Sequence, residues 1–209
     1  MEPKFCIAIP TINRKDLLVE ALEYYAKTIP KVTKLILDNG YQGIEPMDEG
    51  TWVWENDYGG VSESWNRLMR KAWMNAFTHV LMLNDDVILQ KGEEEILAII
   101  NKYPNSFQVC KPIHNWSSFI LPVEVYNQLG PFDERFKKCF FEDNDYHYRL
   151  QLRNIHINYT EDLNPQVYRN SQTIEKNPLL GGYIENRDFY VKKWGGLPGS
   201  ETFKIPFNA

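Results

Sequence analysis

Two acidic clusters in this chain could do chemistry: Asn84-Asp85-Asp86, directly after the apolar run Val80–Leu83, and Glu142-Asp143-Asn144-Asp145, directly after Phe140-Phe141. Neighbouring carboxylates at the end of an apolar strand repel each other and lose solvation unless a cation sits beside them. Hard oxygen donors of this kind suit Mg2+ or Mn2+, which keep coordination positions open for phosphate oxygens. In the second cluster the two aromatics press the first turn of a helix towards an apolar wall. A carboxylate such as Asp143 gains proton affinity there and is suited to act as a general base on a hydroxyl. Glu142 and Asp145 share one helical face and Asp143 lies on another, so their roles divide; Asp145 is spaced to pair with Arg149. Each of these groups also has a plainer reading, because Asp and Asn form turns and caps and acidic residues at a helix start suit its dipole.

The elements that must position these groups alternate in type. Phe5–Ile9, Leu35–Leu37, Trp52–Trp54 and His79–Leu83 read as short strands ended by Pro10, Asp38-Asn39-Gly40, Asn56-Asp57-Tyr58-Gly59-Gly60 and Asn84-Asp85-Asp86. Between them, a helix capped by Asn13 carries Leu17, Leu18, Ala21, Leu22 and Tyr25 on one face, and a helix over about 62–77 carries Trp65, Leu68, Met69, Ala72 and Trp73. This alternation predicts βαβ units and a mainly parallel sheet, which binds ligands at the carboxyl ends of its strands. The second half is less regular, with helices predicted at Glu93–Asn101, Glu142–Arg153 and Tyr183–Trp194. Strands are expected at Phe107–Lys111, Trp116–Leu121 and Ile155–Tyr159, and a loop at 161–182. A single domain over 1–209 is expected, with a nucleotide-binding half at 1–104 and an acceptor half at 105–209; one domain excised from a larger chain would look the same.

Composition narrows the field. The 209 residues are 43% hydrophobic and 24% charged, ordinary for a folded protein, and the balance of 23 basic against 28 acidic residues gives a net charge of −5. A general nucleic-acid binder would want a basic surface, so no nucleic-acid partner is expected. No stretch approaches the ~20 apolar residues of a membrane span. Three scattered cysteines, Cys6, Cys110 and Cys139, fit a reducing compartment, so a cytoplasmic location is expected, the host cytoplasm if the chain is viral. The sequence carries no GxGxxG, no GxxxxGK[ST] and no GxSxG, and its four histidines lack HExxH spacing. Gly59-Gly60 precedes a helix whose N-terminus could face an anion, although paired glycines there are also common turn formers.

On these residues the chain resembles the GT-A glycosyltransferases, and within them the large inverting family 2. Ile7 to Arg14 resembles that family's opening strand and loop, Leu35 to Gly40 its second strand, Asn56 to Arg67 the loop and helix closing over the nucleotide, and Asn84-Asp85-Asp86 its DxD motif. Gly130-Pro131-Phe132-Asp133-Glu134-Arg135-Phe136 followed by Phe141-Glu142-Asp143-Asn144-Asp145 resembles its GxFDExF…EDxD block, the most specific of these; Lys193-Trp194-Gly195-Gly196 looks like a tail of some bacterial and viral members. The resemblance implies a GT-A α/β fold, a mainly parallel twisted sheet flanked by helices with a mixed acceptor-side C-terminal part. It implies Pro10, Thr11, Asn13, Arg14, Asp38, Asn39, Asp57, Gly60, Asn66, Asn84 and Asp85 at a nucleotide sugar, Asp86 on Mn2+ or Mg2+, Asp143 as base, and Glu142 at the acceptor. Trp116 and Ser117 would floor the acceptor sugar, since an aromatic face suits the C–H face of a pyranose, although Trp116 reads equally well as core.

There are departures: Asn84 replaces the first acidic residue of the DxD, and no histidine follows His156 to serve as a late metal ligand. Either carboxylate, phosphate and water complete the metal's shell, or a residue in 161–182 does. The implied reaction is metal-dependent inverting transfer of a glucose- or rhamnose-like hexose from a UDP-sugar to a glycan hydroxyl. The rivals are a sugar-nucleotide nucleotidyltransferase, which would want glycine in Pro10–Arg14, and a glycan-binding module that has lost the chemistry.

Overall fold

The structure, a computed structural model, describes residues 3–114, 116–169 and 181–206. Its centre is built from apolar runs buried along almost their whole length: β1 (Phe5–Thr11), β2 (Lys34–Asp38) and β4 (His79–Leu83). Strands covered on both faces read as continuous hydrophobic runs, as these do. With β3 (Thr51–Glu55), β6 (Phe107–Val109), β7 (Ser118–Pro122) and β8 (Ile157–Tyr159) they form a seven-stranded, mostly parallel sheet in the order β3-β2-β1-β4-β7-β6-β8. The helices are α1 (Lys15–Thr28), α2 (Val61–Met74), α3 (Glu93–Lys102), α4 (Val123–Leu129), α5 (Glu142–Leu152) and α6 (Tyr183–Trp194). Two short strands, β5 (Val87–Ile88) and β9 (Val167–Tyr168), pair separately and antiparallel.

Register places the chemistry. Thr11 of β1 stands opposite Asp38 of β2, which stands opposite Glu55 of β3. The β1–β4 pairing ends with Ala8 opposite Met82, so three residues further on Thr11 is level with Asp85. Strand β7 runs antiparallel to β4, with Ser118 opposite Leu83. Its beginning, not its end, therefore reaches the rim, and Trp116 and Ser117 come to the same side as 84–86. Tyr159 arrives there too, opposite Val109 in the parallel pair β6–β8.

A second, smaller core joins α5 to α6 through buried Phe136, Phe141, Tyr190 and Trp194. Trp194 meets Tyr148 edge-on at 4.9 Å, and Phe136 meets Phe189 at 4.8 Å. Among the described residues, no helix is long and apolar enough to cross a membrane.

Several expected boundaries move. Asn13 does not cap α1; it holds a left-handed backbone with φ 57°, and Arg14 occupies the cap position without a side-chain bond. Helix α4 follows Pro122, where the sequence suggested only the end of a strand. Trp116 precedes β7 with φ 55° instead of opening it. The loop expected at 161–182 begins with a 3-10 turn at Glu161–Leu163 and contains β9; its part at 170–180 lies outside the described residues.

Candidate active site

At the rim of β1 and β4, Thr11 donates its hydroxyl to Asp85 at 2.7 Å, and the Ile12 N–H donates to the same carboxylate. Burial, with the adjacent Asp86 charge adding to it, pushes Asp85 up to about 7 against those bonds and the more distant Arg14. The Asp86 carbonyl accepts the Arg169 N–H at 2.9 Å, which anchors the acidic turn to the end of β9. Arg14 points back to Asp16, with Nε 3.2 Å from its carboxylate, while its charge is still felt by Asp85 and Asp86. Asn84 reaches sideways, its N–H donating to the Ser117 carbonyl at 3.0 Å.

Contacts continue along the rim from there. Trp116 donates its indole N–H to Tyr159, and its ring lies 6.4 Å from that of His147. Tyr159 and His147 both feel the charge of Asp143. Asp143 sits half-buried on the first turn of α5, and burial raises its proton affinity although the Asn144 N–H (2.8 Å) and His147 oppose the shift. Glu142 is 8% exposed, and its Oε2 has no hydrogen-bond partner among the described residues. Desolvation first, and the Asp143 charge second, push Glu142 up to about 8. A buried carboxylate oxygen without a donor is costly when ionised and far less so when protonated.

The approach to this pair is strained. Lys138, Phe140 and Phe141 hold φ of 62°, 83° and 70°. For bulky residues the left-handed region costs about 1–2 kcal/mol each, and such strain persists where surrounding structure over-determines it. Gly60, φ 128°, lies so close to this segment that a Cβ would stand 2.7 Å from the Lys138 nitrogen. The Val61 N–H and the Tyr58 hydroxyl both donate to the Lys138 carbonyl, at 2.6 and 3.0 Å. Gly60 thus serves close backbone approach, and one N–H at the start of α2 is given to residue 138 instead of being left for an anion.

Other expected residues are placed differently from the reading above. Asp38 is fully buried and spends both oxygens on its own turn, accepting from Gly40 N (3.1 Å), Gln42 N (2.7 Å) and Gln42 Nε2 (2.8 Å); it shapes the loop instead of offering a free carboxylate. Asn66 is saturated by Phe132 and Glu134, with bonds of 2.9 Å, because α2 must be tied to the 130s loop. Asn39 accepts from Asn56 at 3.3 Å and Ser64 at 3.4 Å, Asp57 is exposed and bonded to Tyr41, and Asn13 is exposed beside Gly40. Pro10 lies half-buried opposite Leu37. Ser117 is buried, 4.0 Å from the Cys110 sulfur, and Trp116 packs its ring on Phe107 at 5.0 Å, so both line the wall of the rim from the core side.

Sequence spacing offered Arg149 as the partner of Asp145. At 3.5 Å it is the outermost one: Lys193 Nζ (2.5 Å) and Trp194 Nε1 (2.8 Å) hold the fully buried carboxylate from α6. Lys193 also bonds Asp133 at 2.8 Å. Burial raises the proton affinity of Asp133, but Arg135 and Lys193 outweigh it and hold the carboxyl well below its usual range. The Asp145–Arg149 spacing, Asp133 in its block and the Lys193-Trp194 pair were each visible in the sequence, but no signal there joined them. Asp133, Arg135, Arg149, Lys193 and Trp194 line a cavity of about 770 Å³ that extends to Phe132 and Ile205. Its lining includes none of the rim carboxylates, and Arg135, Arg149 and Lys193 there are already engaged by protein oxygens.

Among the described residues, no three His, Cys, Asp or Glu side chains converge as a ready-made metal cage. The donor set at Asp85–Asp86 is nonetheless of the right chemistry for Mg2+ or Mn2+, being all oxygen and adjacent, with few enough protein ligands to leave positions for diphosphate. The expected loop ligand falls partly in 170–180, outside the described residues.

No protein-family model matches the chain. No curated protein matches it in sequence. Solved structures do match in shape. A mannosyltransferase from Pyrobaculum calidifontis, PcManGT, in complex with GDP-Man and Mn2+ aligns with 14% identity and TM-score 0.62, over 79% of this chain and 56% of that one. GalNAc-T7 with UDP, GalNAc and Mn2+ gives 11% identity and 0.59 over 77% and 43%, and the catalytic domain of Drosophila beta1,4galactosyltransferase 7 in complex with xylobiose gives 11% and 0.54 over 80% and 68%. The chain therefore spans little more than half the length of the first and less than half of the second. At these identities the likeness is one of architecture: the chain has the GT-A-type fold of nucleotide-diphospho-sugar transferases.

Proposed function

We propose that this chain is a metal-dependent inverting glycosyltransferase that moves a hexose, of glucose or rhamnose type, from a UDP-linked donor to a glycan hydroxyl. The observation that carries this reading is the second acidic pair. Glu142 and Asp143 are held in an apolar, aromatic-walled turn with raised proton affinity, and Asp143 is linked through Tyr159, His147 and Trp116 to the strand end that carries Asn84. Asp143, half-exposed beside His147, takes the proton of the attacking hydroxyl. Glu142, protonated at neutral pH, donates a hydrogen bond from Oε2 to a sugar hydroxyl that enters the site. Trp116 and Tyr159 wall the same space. Thr11 and the Ile12 N–H hold Asp85 in place behind Asp86. A divalent ion held by Asp86 would, when bound, neutralise the charge that develops on the departing diphosphate.

The test is turnover of UDP-hexoses with Mn2+ in the presence of a glycan acceptor, with the anomeric configuration of the product read by NMR against that of the donor. Asp143→Asn should lose roughly 10²–10⁴-fold in kcat while binding donor as well as the parent. Normal turnover in that variant, or retention of configuration, would refute the proposal.

A further inference from the structure

We infer that Asn186 of α6 is a positioning residue for the catalytic turn, fixing the strained segment 137–141 so that Glu142 and Asp143 stand at the rim with solvent kept from Glu142. This rests on the proposed glycosyltransferase function. Asn186 is 2% exposed and lies 43 positions after Asp143, yet its side chain is spent entirely on that turn. Its Oδ1 accepts the Lys137 N–H at 3.1 Å, and its Nδ2 donates to the carbonyls of Lys137 (2.8 Å), Cys139 (2.8 Å) and Phe140 (3.0 Å). An amide nitrogen has two hydrogens, so three acceptors require one shared bond.

Those carbonyls belong to the stretch in which Lys138, Phe140 and Phe141 adopt left-handed backbone. The cap residue of α5, Phe141, has no side-chain bond of its own to hold it. Tyr183, one turn earlier on α6, meets Phe140 edge-on at 5.5 Å and Phe141 at a tilt at 5.3 Å. Gly182 permits the approach, since a Cβ there would lie 2.8 Å from the Lys137 carbonyl. One short polar side chain thus satisfies the carbonyls that an ordinary helix entry would leave to water. The titratable groups that feel the pair's charge are Tyr58, His147 and Tyr159, and none of them bonds Glu142 Oε2.

Asn186→Ala, and the milder Asn186→Ser, should lower kcat on the order of 10²-fold while the donor KM stays within about twofold. As water enters the relaxed turn, the pH at which Glu142 titrates should move down. Val125→Ala, at the buried residue of α4, serves as a control for lost stability: it should lower Tm without moving the pH–rate profile. If parent and Asn186→Ser share one kcat and one pH profile, the inference is overturned while the glycosyltransferase reading stands. If the parent turns over no nucleotide sugar, that reading fails, and the inference is judged instead by infrared titration of the Glu142 carboxyl, assigned with Glu142→Gln. A shift to lower pH in Asn186→Ser supports it, and an unmoved transition overturns it.

Discussion

The molecule holds two adjacent acidic pairs and positions them by different means. Asp85–Asp86 sits at the end of a central parallel strand, where register alone brings Thr11 level with it and supplies a hydroxyl and a backbone N–H. Glu142–Asp143 sits at the start of a helix entered through left-handed aromatics, and its buried Glu142 Oε2 is given no donor. In the first, the donors on Asp85 favour its ionised form, which suits a neighbouring cation. The second is kept dry and so suited to holding and moving a proton. Burial raises the proton affinity of Asp85, Glu142 and Asp143 alike and backbone N–H donors oppose it at each; Asp85 has the Thr11 hydroxyl in addition.

The sharpest way to break the comparison is to unseat the second pair from below. Asp145→Ala removes the anion on which Lys193 and Trp194 converge and leaves a buried ammonium partly uncompensated, with Asp133 its remaining partner. Losing one member of a buried pair costs about 3–5 kcal/mol, so Tm should fall by roughly 10 °C; calorimetry showing a fall of a degree or two would mean that α6 is not anchored there.

Next in size is a pH effect. Folded Glu142 titrates at about 8 against 4.5 for its ordinary value, so between those limits the folded chain holds a proton that the unfolded chain has released. Its stabilising contribution is complete below about pH 4.5, declines as pH rises and is gone above about pH 8, a span worth on the order of a few kcal/mol. In EDTA, Tm of the parent should therefore drop between pH 5.5 and 8. Glu142→Gln should flatten that drop in part, because Asp85 contributes a slope of the same sign; an unchanged slope would show Glu142 to be ionised in the fold.

The smallest effect is at the other pair. Thr11→Val removes the hydroxyl donor from Asp85 and should cost about 1–2 kcal/mol of stability at pH 8, where Asp85 is charged, and less at pH 5.5. Denaturant titration at the two pH values reads the difference, and equal losses at both would mean that the bond does not favour the ionised form.

The two pairs also differ in how far the sequence exposed them. The strand ends were readable because Pro10, Asp38-Asn39-Gly40 and Asn84-Asp85-Asp86 interrupt apolar runs long enough to be buried strands. The rim at Asp85 follows from parallel register alone. The second site depends on contacts that no local pattern announces: Lys193 and Trp194 reach Asp145 from 48 and 49 positions away, and Asn186 reaches the turn from a helix with little amphipathic signal. Phe140 and Phe141 read as an apolar wall beside a helix start, which does not disclose their left-handed backbone. Asp38 and Asn66 were legible as polar residues in the right neighbourhood, but only the structure places their donors and acceptors on the protein itself. Helix α4 was missed because Pro122 signals a stop, while proline before a helix also suits its first turn.

The most direct test of the division between the pairs is calorimetric titration of UDP with and without Mn2+ into Asp86→Asn and Asp143→Asn, beside their turnover. The expected result is that Asp86→Asn loses the Mn2+-dependent part of UDP binding, while Asp143→Asn keeps it and loses only transfer. Loss of Mn2+-dependent binding in Asp143→Asn, or its survival in Asp86→Asn, would contradict the assignment of cation to one pair and proton to the other.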